Sequence, residues 1–88
     1  MTSVEFHPAA QTELTAATDW YLVRSKSTAA EFLREVQHAV QRIAESPERY
    51  PVTRNGRRRF VLLNFPFDLV YRNLEEGVAS VSRGDFHV

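Results

Sequence analysis

The chain lacks cysteine altogether, and lysine appears once, at Lys26. Without cysteine there is no disulfide framework, no thiolate zinc site and no thiol nucleophile. That composition fits a reducing cytosol. No apolar run approaches the roughly 18 residues that a membrane span needs. The first twenty residues carry Glu5, Glu13 and Asp19 and no basic residue, which argues against a secretory leader. Net charge is zero, whereas a tight general nucleic-acid binder is usually basic overall. His7, His38 and His87 have no H-x-x-x-H spacing, so no metal is expected. Also missing are a Gly-rich phosphate loop, a G-x-S-x-G string and a paired-carboxylate motif. No cofactor is expected.

What is present suits one small domain over residues 1–88. A chain of this size buries only about 60–65% of its unfolded surface, so it must pack well or bind a partner. Six Phe, three Tyr and one Trp supply a core. The charges are segregated: residues 1–52 hold five cations and seven acids, residues 53–88 six cations and four acids. There is room for one local anionic contact near Arg54–Arg59.

Residues 55–74 organise the rest, as two strands joined by a tight turn. Alternation puts Arg57, Arg59, Val61 and Leu63 on one face and Arg58, Phe60 and Leu62 on the other. The second strand sets Phe67, Leu69 and Tyr71 against Asp68, Val70 and Arg72. Pro66 cannot donate to a ladder, so it belongs to the turn or opens the second strand.

Earlier in the chain, Val4-Glu5-Phe6 reads as a short strand, and Pro8 suits a first helical position. Ala10, Leu14, Ala17 and Tyr21 then form one helical stripe flanked by Trp20. After the polar break Arg24–Ser27, Thr28 and Glu31 fit a capping box. The second helix carries Phe32, Leu33, Val36, Val40 and Ile43 on one stripe and ends at Ser46-Pro47. Residues 46–56 form a loop with an Asn-Gly turn signal. Glu75-Glu76-Gly77 is a turn, Val78–Arg83 a weak last strand that widens the hairpin, and Gly84–Val88 a short tail. The order β-α-α-β-β-β predicts an α+β fold, with a helical hairpin packed on one face of a small, largely antiparallel sheet.

Few residues stand out for chemistry. Arg57, Arg58 and Arg59 suit phosphate or carboxylate, or make a solvated strand end paired with Glu75 and Glu76. His87 is a frayed end, or an acid/base beside Arg83. Asp68 and Arg72 share the outer strand face and read as a structural pair. Trp20 and Tyr21 read as core or partner-facing groups.

Three strings carry a family resemblance: Phe6-His7-Pro8-Ala9-Ala10, Ser46-Pro47-Glu48-Arg49-Tyr50-Pro51, and Arg58 leading to Phe65-Pro66-Phe67-Asp68-Leu69-Val70-Tyr71-Arg72. In order and spacing they resemble the RelE/ParE superfamily, the toxins of bacterial type II toxin–antitoxin modules, over nearly the whole chain. The resemblance implies the β-α-α-β-β-β fold, a cytoplasmic location, and a cognate antitoxin encoded alongside that joins the toxin in a hetero-oligomer.

Two activities occur in that superfamily. RelE-like members cut mRNA in the ribosomal A site without metal, using basic groups on the central strands and a tyrosine or histidine near the C-terminus. ParE-like members, the plasmid-stabilisation branch, poison DNA gyrase. Here Arg59 stands where one nuclease cation sits, but Val61 follows where a second can occur. Asp68 stands where nucleases often have arginine, and an acid there repels a scissile phosphate. These departures favour ParE-like action on a protein target, without membrane association. Arg54, Arg57, Arg58, Arg59 and Arg83 are its expected target-binding residues; Leu14, Trp20, Tyr21, Phe32 and Val36 are expected to meet the antitoxin. The alternatives are a nuclease using Arg57, Arg59, Arg83 and His87 on ribosome-bound mRNA, and a non-toxic binding module of the same fold.

Overall fold

The computed structural model describes residues 3–52, 56–73 and 78–86; for Ser3, Glu5, Asn73 and residues 78–86 it describes the backbone. Its elements run β1 (Ser3–Phe6), α1 (Pro8–Arg24), α2 (Lys26–Glu45), β2 (Arg58–Val61), β3 (Phe67–Asn73) and β4 (Val78–Phe86). The architecture is α+β: two packed helices and a small, largely antiparallel sheet. No helix among the described residues is long and apolar enough to cross a membrane.

α1 starts with Pro8 in its first turn, behind His7. The His7 imidazole accepts the Ala9 N–H through Nδ1 at 3.1 Å, satisfying an amide that the helix itself leaves unpaired. Ala10, Ala17 and Tyr21 are buried and Leu14 is half-buried, as the stripe predicts. The link between the helices is a single residue. The Ser25 N–H donates to Tyr21 O at 2.8 Å, closing α1, and its Oγ accepts the Thr28 N–H at 3.3 Å, opening α2. The expected capping box at Thr28 is therefore corrected: Thr28 lies in the first turn and Ser25 is the cap.

The buried face of α2 comprises Ala29, Phe32, Val36, Ala39 and Ile43. Leu33 and Val40 lie at its margin, exposed and half-buried respectively. The stripe turns toward alanines because close approach of α1 favours small residues there.

The strand order is β1-β4-β3-β2, with β1 parallel to β4 and the other pairs antiparallel. The last strand is thus interior, not an outer addition to the hairpin. It also runs through Gly84 to Phe86, where a tail was expected, because β3 supplies backbone partners as far as Phe67↔Phe86. The register shifts between Val70, opposite Arg83, and Tyr71, opposite Val81. Ser82 is the extra residue of that bulge.

The core lies between the helices and the face of the sheet carrying Phe67, Leu69 and Tyr71. Phe32 is its centre, with no exposed surface. Its ring meets Tyr21 at 5.1 Å, Phe65 at 5.2 Å and Phe67 at 5.3 Å between centroids. Pro66 explains how both neighbours of one residue reach Phe32. The Phe67 N–H donates back to Phe65 O at 2.8 Å around it, a turn tight enough to bring both rings to one side.

Candidate functional site

Arg58 points inward, toward the loop 46–52. Its guanidinium donates to Tyr50 O at 2.7 Å. Across the ladder from Arg58 lies Tyr71, whose buried hydroxyl donates to Pro47 O at 2.6 Å. Burial pushes the Tyr71 pKa up to about 12, against the pull of the Arg58 charge and with a smaller push from Tyr50. The Tyr50 ring packs edge-on to Phe60 at 4.8 Å, and the Arg59 N–H donates to Pro51 O at 3.0 Å. These contacts fix the Ser46–Pro51 string against β2. Gly56, at the Asn-Gly signal, has φ 75°, a region glycine enters without a Cβ penalty.

The outer face of β2 carries Arg59 and Val61, opposite Val70 and Asp68 in the ladder. Arg59 Nε is ion-paired with Asp68. Asp68 is only 3% exposed, whereas half of the Arg59 side chain meets solvent. A carboxylate removed from water requires a cation or donors, and the diagonal guanidinium supplies the cation. The expected Asp68–Arg72 pair is corrected: Arg72 is exposed, and the described ion-pair partner of Asp68 is Arg59.

One concave surface adjoins these residues and another is formed elsewhere in the fold. An open cleft of about 390 Å³ lies between the end of α2, the loop and β2; Arg42, Arg49 and Arg59 meet Phe60, Val61 and Leu63 there. Among the described residues no carboxylate lines it. The second, about 430 Å³, lies where β1, α1 and α2 meet, with Phe6, Leu14, Leu33, Val36 and Val40 around it. Its polar lining is Gln37 and Gln41. No group of three or more His, Asp or Glu among the described residues is arranged to hold a metal ion.

The structure distributes the sequence-derived candidates unevenly. Arg57 is half-buried, Arg58 is engaged with the loop, and Arg59 is on the outer face. Arg54 and His87 lie outside the described residues. Arg83 occupies the β4 position opposite Val70, whose other ladder partner is Arg59. Of the residues expected to meet an antitoxin, Leu14 and Val36 line the second groove. Tyr21 and Phe32 are core, and Trp20 carries the Arg24 guanidinium 3.6 Å above its ring. Sequence reasoning did not single out Glu35, Arg42 or Arg49. The first acts on a turn 28 residues away. The two arginines look like ordinary surface cations until the break at Ser46-Pro47 folds the chain back beside β2.

The element order and sheet topology are those of a β-α-α-β-β-β fold with a helical pair against a small sheet. The family described as "ParE toxin of type II toxin-antitoxin system, parDE" matches residues 4–83, and the chain belongs to that family. Among solved structures it is similar to the chromosomal ParDE system from P. aeruginosa, with a TM-score of 0.81 and 21% identity, covering 100% of this chain and 98% of that one. It is also similar to the intact E. coli RelBE toxin–antitoxin complex, with a TM-score of 0.64 and 15% identity, covering 100% of this chain and 99% of that one. No curated protein matches it.

Proposed function

We propose that residues 1–88 act as one domain, a cytoplasmic ParE-type toxin that arrests growth by binding a protein target, DNA gyrase, and performs no chemistry of its own. A cognate antitoxin neutralises it in a hetero-oligomer. The Arg59–Asp68 pair carries the reading. A metal-free nuclease needs cations free to meet the extra charge of a phosphorane-like transition state. Here the outward arginine of β2 is already engaged by a carboxylate, and Val61 adds no charge opposite Asp68. Arg58 is spent on holding the loop. What remains is a surface that recognises rather than cleaves.

A second reading is supported by the ladder. Arg59 and Arg83 both pair with Val70, so the backbone puts them on one row of the sheet, two strands apart. With Arg57 and His87 they would form a phosphate clamp and an acid/base. Purified chain added to gyrase with relaxed plasmid and ATP, and to ribosomes programmed with mRNA, separates the two. Failure of supercoiling with intact mRNA is expected. Cleavage of mRNA that is abolished by His87→Ala, with antitoxin binding kept, would establish the nuclease instead.

A further inference from the structure

We propose that the cleft formed by Arg42, Arg49 and Arg59 with Phe60, Val61 and Leu63 receives an acidic, extended segment of the antitoxin, recognised by its side chains and not by a long strand ladder. The proposal rests on the reading that this chain has such a partner.

Charge is the first argument. Three arginines line the cleft and no described acidic residue does. Arg42 and Arg49 are both exposed, one at the end of α2 and one in the following loop. Arg59 stands on the cleft wall with its Nε paired to Asp68, so Arg42 and Arg49 are the cations that the cleft offers to a partner's carboxylates.

The apolar lining is the second. Leu63 is 94% exposed and Val61 60%, beside the half-buried Phe60 ring. Phosphates would satisfy the arginines and leave these side chains in water. A peptide with an apolar residue between carboxylates covers both kinds of surface, as a partner interface with an apolar centre and charged rim does.

The third concerns the edge of β2. Leu62 N–H donates to Phe67 O, so alternate residues Arg59, Val61 and Leu63 direct their amides away from β3. The Arg59 N–H is taken by Pro51 O at 3.0 Å, and the Leu63 N–H by Glu35 at 2.6 Å. Val61 lies between these two engaged positions. An added strand would therefore gain little ladder at this edge without displacing Pro51 or Glu35, and the segment must be held mainly by charge and by burial of Leu63 and Val61.

The test uses the full chain and the protein encoded beside it. Affinity is measured by calorimetry or interferometry across a salt series for wild type, Arg42→Glu/Arg49→Glu and the charge-matched control Lys26→Glu/Arg34→Glu. Melting curves confirm that both variants fold; all four residues are exposed. The cleft variant should bind on the order of 10- to 100-fold more weakly at low salt and show a flatter salt dependence, with the control close to wild type. Equal affinities, or equal losses in both variants, overturn the proposal while leaving the antitoxin reading intact. If wild type itself fails to bind, both fall. If single-stranded RNA binding is lost in the cleft variant and antitoxin binding is unchanged, the occupant is nucleic acid and the proposal is wrong.

Discussion

Glu35 holds Asn64 twice, taking its backbone N–H on Oε2 at 3.2 Å and its side-chain amide on Oε1 at 2.9 Å. The same carboxylate takes the Leu63 N–H at 2.6 Å. One side chain of α2 thus closes the turn between β2 and β3 and fixes where Leu63 projects. Glu35→Ala should cost about 1–2 kcal/mol. For a domain of this size that lowers Tm by roughly 5–15 °C. Thermal melting followed by circular dichroism checks it; an unchanged Tm would show that the turn holds itself.

Ser25 ends one helix and starts the next, so its hydroxyl is the capping group that counts. Ser25→Ala should cost about 1 kcal/mol and Ser25→Gly a few tenths. Thr28→Ala should cost less than Ser25→Ala, since Thr28 contributes a backbone amide to the cap and not its side chain. Urea titrations of the three variants rank them directly.

The Arg59–Asp68 pair is coupled, and its breakage is asymmetric. Arg59→Ala removes a cation from beside a buried carboxylate and should destabilise by roughly 1–3 kcal/mol. Replacing both residues together, as Arg59→Met with Asp68→Leu, should recover most of that loss. A double-mutant cycle in which the two losses simply add would show that the pair does not act as a unit.

Tyr71 makes the fold sensitive to alkali. Its pKa is raised to about 12 from an ordinary value of 10, so the folded state keeps a proton that the unfolded chain gives up. The stabilisation is fully present below pH 10 and disappears as pH rises from 10 through about 12. Burial raises the pKa of Tyr21 as well, which adds in the same direction. Tyr71→Phe should cost about 1 kcal/mol at pH 7, through the lost bond to Pro47. It should also flatten the alkaline decline without abolishing it. Denaturant midpoints between pH 8 and 11.5 measure both effects.

Local pattern carried the fold a long way. The spacing of Ala10, Leu14, Ala17 and Tyr21 located the buried face of α1. Alternation from Arg57 to Leu63 put Arg58 and Arg59 on opposite faces, but which of them points inward is decided by the loop contact of Arg58. The Phe-Pro-Phe string located the turn. The pairings that depend on register could not be read so. Arg59 meets Asp68 only because the ladder sets Val61 opposite Asp68, one step along from Arg59. Glu35 reaches Asn64 only after α2 has docked. The capping box read at Thr28 gives way to Ser25 because α2 begins a residue after α1 ends. Gly84 looked like a strand end because glycine is a poor strand former, yet its pairing opposite Leu69 carries the strand onward. For the cleft, the arginines of 54–59 were visible as a cluster, whereas Arg42 and Arg49 join Arg59 through tertiary structure alone.

The central claim is that this toxin acts by binding gyrase and not by cutting message. Its most direct test is a time course in bacteria after induction of this chain alone, with labelled thymidine and labelled methionine followed in parallel. DNA synthesis should fall first, with protein synthesis declining later. A fall in methionine incorporation that precedes any change in thymidine incorporation would contradict the claim and make Arg57, Arg59, Arg83 and His87 the residues to examine.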